Sequence, residues 1–351
     1  MSTSHLPETR SSLDAAAPAV RGVVGVAPRR TFKRLLIAAG WRLVRSRPLL
    51  LLILILLLSC FMAYLYPLSF LSLDNFSAVL LNASQFGILA VGMSILMIGG
   101  VFDLSIGSTL ALCGVVVAVL IAYAHLPVPL AILLALAVGA LAGLINGLIV
   151  TRIRINALIT TLATAGIYRG VTQLISGTGV SPISDAFARV GQSVWLGFQS
   201  PFWVMVLIVA AGIWAVGQTR FFRQYYYVGA NERAARLSGI RTSRLILIGF
   251  VIMGLLAGVA GVLNAARLNA AVVSAGIGVE LQIITATVLG GASLKGGEGT
   301  VLGAFLGVIF IALVQNALII LDVDVFWQNI VIGIVLLVAV SLDHWKEVRR
   351  S

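Results

Sequence analysis

The chain has 351 residues, of which 60% are hydrophobic and only 10% charged, with a formal net charge of +12. A soluble globular chain carries about 25% charged residues, so this one lacks the charge to coat a water-facing surface. A cytosolic enzyme, a nucleic-acid-binding domain and a disordered chain are excluded, which leaves a polytopic membrane protein.

Residues 1–47 hold nine of the 24 basic residues against two acids, Glu8 and Asp14. Ahead of an apolar chain this reads as a cytoplasmic tail held inside by its positive charge and resting on anionic lipid, not as a nucleic-acid arm. The run Leu49–Tyr66 mimics a long signal peptide, but it is long enough to span and more membrane follows it. A span needs about 20 apolar residues. Ten candidates fit, at roughly 49–66, 78–98, 104–124, 128–150, 156–176, 201–217, 245–265, 280–294, 300–320 and 325–342. The eighth is short and reads as broken or re-entrant. A transmembrane domain is thus predicted over 48–345, with a cytoplasmic C-terminus at 346–351. Ten spans from an inside start put both termini in the cytoplasm, and 21 of the 24 basic residues then fall in cytoplasmic segments. Only Arg169, Arg189 and Arg267 lie elsewhere.

Some of the 36 glycines stand at small-xxx-small spacing, as in Gly143/Gly147, Gly254/Gly258 and Gly299/Gly303/Gly307. Such spacing lets helix backbones approach closely in lipid. Cys60 and Cys113 lie in apolar runs without partners at metal-ligand spacing and read as small core hydrophobes. A weak internal echo links Gly99–Gly107 with Gly290–Gly297.

Nothing in the chain promises chemistry. There is no phosphate-binding Walker A loop, no zinc-protease helix motif, and the carboxylates are scattered singly. No catalytic residue, metal site or cofactor is expected. Ionisable groups deep in a bilayer are functional by default, but Asp103, Arg169, Arg267 and Glu280 fall near predicted span ends, where head-group contact is cheap. If the driving force is not in this chain, a partner supplies it.

The 218–244 loop points to that partner. Asn231 is placed to cap a helix, with Glu232 in its first turn where the dipole favours an anion. Ala234 and Ala235 continue the helix and Gly239 stops it. The result is a two-turn helix with an alanine face and a basic rim of Arg233 and Arg236, which reads as a docking knob for another subunit.

The Glu-x-Ala-Ala-x-x-x-Gly-Ile pattern at 232–240 resembles the coupling loop of ABC importer permeases. Four further segments resemble the ribose/xylose/autoinducer-2 type of sugar permease, in that family's order. They are Gly99–Ser108; Gly143–Gly147 with Ile155-Asn156 and Ile167–Gly170; Gly290–Gly303; and Phe326-Trp327-Gln328. The resemblance covers roughly 70–345. Departures are Ala157, where the family often has proline, Phe221-Phe222-Arg223 for Phe-Gly-Arg, and Gly229-Ala230-Asn231 for Gly-Gly-Asn; these blur the cargo.

The resemblance implies an all-α permease fold in a bacterial inner membrane, with an ABC ATPase subunit below, a periplasmic sugar-binding protein outside and a second permease chain alongside. It implies docking through Glu232, Arg233, Ala234, Ala235, Arg236, Leu237 and Gly239. The turn of Gly99, Gly100, Asp103, Ser105 and Gly107 either shapes a gate or simply caps the third span. Gln85, Asn146, Thr160, Thr164, Asn264, Gln282 and Gln315 are candidates for a sugar path, or for interhelical glue. The cargo is expected to be a monosaccharide or a similar solute. The alternatives are a permease for branched-chain amino acids or nucleosides, and a self-sufficient secondary carrier.

Overall fold

The computed structural model describes residues 47–324 and isolated positions between 327 and 341. The basic tail, eight of the eighteen positions of the tenth predicted span, and 346–351 lie outside the described residues.

The elements in chain order are α1 (Arg47–Leu65), the short α2 (Pro67–Phe70), α3 (Leu73–Ile98), α4 (Ile106–Ala122) and α5 (Val128–Leu148). After α5 come a π-helical turn at Ile149–Ile153, α6 (Ala157–Ser176), β1 (Gly179–Val180), α7 (Asp185–Gln192), β2 (Val194–Trp195) and β3 (Phe198–Gln199). The chain continues with α8 (Ser200–Gln218), α9 (Arg220–Ala230), α10 (Glu232–Leu237), α11 (Thr242–Leu268), β4 (Ala271–Val272), α12 (Val279–Leu289) and α13 (Val301–Ile320). The strands are small ties: β1 pairs antiparallel with β4, and β2 with β3.

Six of the described helices are long and apolar enough to cross a membrane: α1, α3, α5 with its π-turn, α8, α11 and α13. The predicted third and eighth spans are shorter apolar helices, α4 of 17 residues and α12 of 11. At 1.5 Å per residue α12 is about 16 Å long, half of a ~30 Å hydrocarbon core, so it is a half-helix. The predicted fifth span is the 20-residue α6. It is not among the six, because Arg169 and Gln173 lower its mean hydropathy; its buried positions carry Thr160, Thr161, Thr164 and Thr172.

The core follows from composition. A helix apolar on every side belongs in a protein core or in lipid: α1 is mostly exposed, whereas the chain is buried without interruption from Gly87 in α3 to its cap Gly99. Around it pack α8, α9, α11, α12 and α13. The most extensive helix pair is α5 with α11. A Cβ on Gly143 would stand 2.1 Å from the Phe250 carbonyl oxygen, and one on Gly254 2.2 Å from that of Gly139. Likewise Gly303 and Gly307 of α13 sit against the carbonyls of Gly290 and Ala286. The small-residue spacing is thus helix packing. Cys113 is buried in that packing, but Cys60 is exposed on α1 and is not a core residue.

Two helices inside the predicted loops went unforeseen. In the 177–200 segment, α7 buries Phe187 against the bundle beside α11. In the 218–244 segment, α9 precedes the predicted short helix and buries Tyr225 and Val228.

Candidate functional site

The predicted cap-alanine-glycine order folds as a helix of six residues. Asn231 Oδ1 accepts the Ala234 N–H at 2.9 Å. At the other end Gly239 takes φ +84°, and the Gly239 and Ile240 N–H groups donate to the Arg236 and Ala235 carbonyls, each at 3.1 Å. This is the paired-bond stop of a Schellman cap. Glu232 Oε1 accepts from Arg236 Nη2 at 2.6 Å and from the Thr242 hydroxyl at 3.1 Å, which ties α10 to the start of α11.

One assignment needs correction. Ala235 is 4% exposed and belongs to the central core cluster, so it seats the helix and offers nothing to a partner. Arg233, Ala234, Arg236 and Gly239 are exposed, and Leu237 is 85% exposed. The side chain of Glu232 is exposed but held by its two local bonds.

The seat continues into α9. Tyr225 is 1% exposed and its hydroxyl donates to the Leu245 carbonyl at 2.6 Å. Tyr226 donates to the Gly299 carbonyl at 2.8 Å. Burial raises the ordinary pKa of both phenols, keeping these hydroxyls as donors. At the end of α9, Gly229 meets two other segments. A Cβ there would lie 2.0 Å from the Ile98 carbonyl oxygen and 2.3 Å from the Gly297 nitrogen, while one on Gly296 would lie 2.6 Å from the Gly100 Cα. The Gly297 N–H donates to the Ile98 carbonyl at 2.9 Å. The ends of α9 and α3 and the loop before α13 therefore touch backbone to backbone.

The echoed glycine pairs are the same device used twice. The Gly100 and Val101 N–H groups return to the Met97 and Leu96 carbonyls, and the Gly291 and Ala292 N–H groups to those of Val288 and Thr287. In each pair the second glycine has positive φ, +82° and +102°, the left-handed position where a side chain is strained.

Asp103 is 2% exposed, so it is not the head-group carboxylate its position near a span end suggested. Its Oδ1 accepts the Ser105 N–H at 2.7 Å and the Ser105 hydroxyl at 2.6 Å. Asn146 Nδ2 donates to the Ser105 hydroxyl oxygen at 2.8 Å, and the Tyr168 hydroxyl donates to the Ala142 carbonyl at 3.0 Å beside Asn146. Ser105 occupies the cap position of α4 without a side-chain capping bond; its hydroxyl serves Asp103 instead. Gly107, one residue into α4, lies against the Gly276 carbonyl.

The seven candidate path residues do not gather along one passage. Gln85 and Asn264 line a cavity of about 210 Å³ with Asn82 and Arg267. Gln282 and Gln315 share a narrow slot between α12 and α13, where Gln282 Oε1 is buried without a hydrogen-bond partner among the described residues. Asn146 belongs to the Asp103 network. Thr164 donates to the Thr161 carbonyl at 3.2 Å, and Thr160 Oγ1 is buried with no partner among the described residues. A larger cleft, of about 770 Å³, is lined instead by Ser108, Arg169, Gln173 and Glu280. The i,i+4 spacing of Arg169 and Gln173 on α6 was the available signal for it.

Glycine-seated apolar helices, with one short exposed helix wired by backbone contact into the central span, make this a multi-pass membrane transport subunit. Residues 75–340 match the family described as branched-chain amino acid transport system / permease component, and the chain belongs to that family. It is 36% identical over 327 residues to the ribose import permease protein of Escherichia coli (strain K12), covering 92% of this chain and 98% of that one. The ribose import permease protein of Haemophilus influenzae is 37% identical over 281 residues, 79% of this chain and 87% of the relative. The autoinducer 2 import system permease protein of Photorhabdus luminescens is 34% identical over 273 residues, 78% and 82% of the two chains.

Proposed function

We propose that the chain is the membrane-spanning subunit of an ATP-driven importer that receives a monosaccharide or similar solute from a separate binding protein. The carrying observation is α10: a capped helix exposed on Arg233, Ala234, Arg236 and Leu237, seated on Ala235 and joined through α9 to the Gly229–Gly100–Gly296 junction. An ATPase subunit docks there. Beside the helix lies a recess of about 510 Å³ lined by Arg154, Arg236 and Lys295 as well as Glu232, a basic socket suited to an acidic edge on the partner.

Closure of the ATPase dimer pushes α10. Because the α9, α3 and 293–299 backbones touch, the push reaches α3 and the α12–α13 connection without a soft side-chain layer between. This is a bistable element biased by a ligand held on a partner. The Gly99–Gly107 turn, lying between the junction and α4, acts as the gate. A second permease chain, a copy or a paralogue, completes the path. The chain itself hydrolyses nothing and needs no cofactor. The basic N-terminal segment supports a cytoplasmic N-terminus at a bacterial inner membrane, and an even number of spans returns the C-terminus to the same side.

The sugar assignment draws on the ribose and autoinducer-2 relatives; the family description favours branched-chain amino acids as the second reading. One experiment separates them. Membrane vesicles carrying this chain with its ATPase and binding protein should accumulate a labelled monosaccharide, and not leucine, only when ATP is supplied. Accumulation by the purified chain alone in liposomes would overturn the ATP-driven reading.

A further inference from the structure

On the flank where α6 faces α4 and α12, the 770 Å³ cleft runs from Ala165 and Arg169, inside α6, to Gly177 and Thr178 just past its Ser176 end. Ser108 is fourteen residues, about 21 Å, from the Ala122 end of α4, and Arg169 is twelve residues, about 18 Å, from the Ala157 end of α6. Those two ends point to opposite faces of the bundle, so Ser108 and Arg169 stand well inside a ~30 Å apolar layer, while Gly177 and Thr178 mark the cleft's mouth at the end of α6.

Its walls are fixed. The Arg169 guanidinium donates to the carbonyl oxygens of Val273 and Ala275, the latter at 2.8 Å. This clamps the connection before α12 against α6. Gly107 seats against the Gly276 carbonyl on the opposite side. Between these walls the side chains of Ser108, Gln173, Thr178, Ser274 and Glu280 line the cleft without a hydrogen bond to another described residue. Unmet polar groups at this depth are costly against lipid; water and a polar ligand relieve that cost. Leu104 and Ile277 add an apolar patch. The volume is that of a small-molecule site.

We infer that this cleft is the solute-binding surface, and that its occupant is a neutral polyhydroxylated molecule of monosaccharide size; the inference rests on the sugar-importer reading above. Glu280 is an acceptor for a pair of neighbouring hydroxyls, and Gln173 both donates and accepts. The hydroxyls of Ser108, Thr178 and Ser274 adapt to either role. Arg169 is engaged by two backbone carbonyls and faces the charge of Glu280, so the cleft offers no uncompensated charge to a carboxylate. The C–H face of a sugar ring rests on Leu104 and Ile277.

The test uses cells making the full chain with its partners, in a Cys60→Ser, Cys113→Ala background. Gln173→Cys is the reporter, and Leu133→Cys, on the exposed apolar face of α5, is the lipid-facing control. A membrane-impermeant thiol reagent modifies position 173 and not 133. The imported monosaccharide slows that modification about fivefold at four times its Kd, by simple occupancy. Glu280→Gln, a variant of matching shape, raises the half-saturating solute concentration about tenfold with maximal uptake unchanged. Absence of modification at 173 overturns the cleft assignment. Modification that an imported monosaccharide does not slow also overturns it, while the importer reading stands. Uptake of leucine and of no monosaccharide overturns the importer reading and the cleft's occupant together.

Discussion

Gly229 and Ile98 meet with no side chain between them: a Cβ on the glycine would stand 2.0 Å from the Ile98 carbonyl oxygen. That oxygen already accepts the Gly297 N–H at 2.9 Å. Three segments distant in sequence thereby share one rigid point, next to the helix proposed to take up the ATPase stroke.

Gly229→Ala should therefore damage the protein despite alanine's better helix propensity. Overpacking against backbone costs about 1–3 kcal/mol. Gly217→Ala, where an added Cβ meets no described residue outside its own helix turn within 4 Å, should be neutral or stabilising by up to about 1 kcal/mol. Thermal unfolding in detergent checks the pair. Equal melting temperatures for the two variants would dissolve the junction.

Ala235 and Leu237 separate folding from docking. Ala235→Glu puts a carboxylate into a position 4% exposed, so α10 should lift from its seat and membrane abundance should fall. Leu237→Glu changes an exposed side chain, with a stability change within about 0.5 kcal/mol. Uptake should nonetheless fall by about tenfold or more, as loss of a central docking contact does. Quantitative immunoblotting beside an uptake assay reads both. Normal uptake in the Leu237 variant would move the docking surface elsewhere.

How much of this was legible beforehand varies with the kind of signal. Six spans declared themselves through apolar length, and α10 through Asn231 and Gly239, because a cap and a stop are local chemistry. The helix α9 was hidden: its buried positions, Tyr225 and Val228, sit among charged and aromatic neighbours that read as loop. The burial of Asp103 was invisible because span ends are judged by distance along the chain, and here the chain turns inward before α4 begins. The polar path candidates scattered for a related reason. A helix such as α3 is apolar on all sides, so its sequence does not tell which way Gln85 faces.

The Asp103 network should be ordered in its energetics. Asp103→Ala leaves the buried Ser105 N–H and hydroxyl without their shared acceptor, at about 1–3 kcal/mol for each unmet group. Ser105→Ala keeps the N–H bond to Asp103 at 2.7 Å; it takes one donor from the carboxylate and one acceptor from the Asn146 amide, which still lies beside Asp103. Denaturant or thermal melts should therefore rank Asp103→Ala as the more damaging. The reverse ranking would mean that the carboxylate is not the hub.

Alkaline pH supplies a test of the α9 seat. Burial holds the Tyr225 and Tyr226 phenols above their ordinary value, which is about 10 for an unfolded chain. The folded state therefore binds these protons more tightly than the unfolded one. Their contribution is complete below about pH 10 and is lost as pH rises from there toward the folded pKa values. The bundle should hold its melting temperature up to about pH 9 and lose it steeply beyond about pH 10. Tyr225→Phe should lower the melting temperature at neutral pH, since the bond to the Leu245 carbonyl is gone, and should flatten the alkaline slope. An unchanged slope in Tyr225→Phe would show that this phenol does not control the alkaline response.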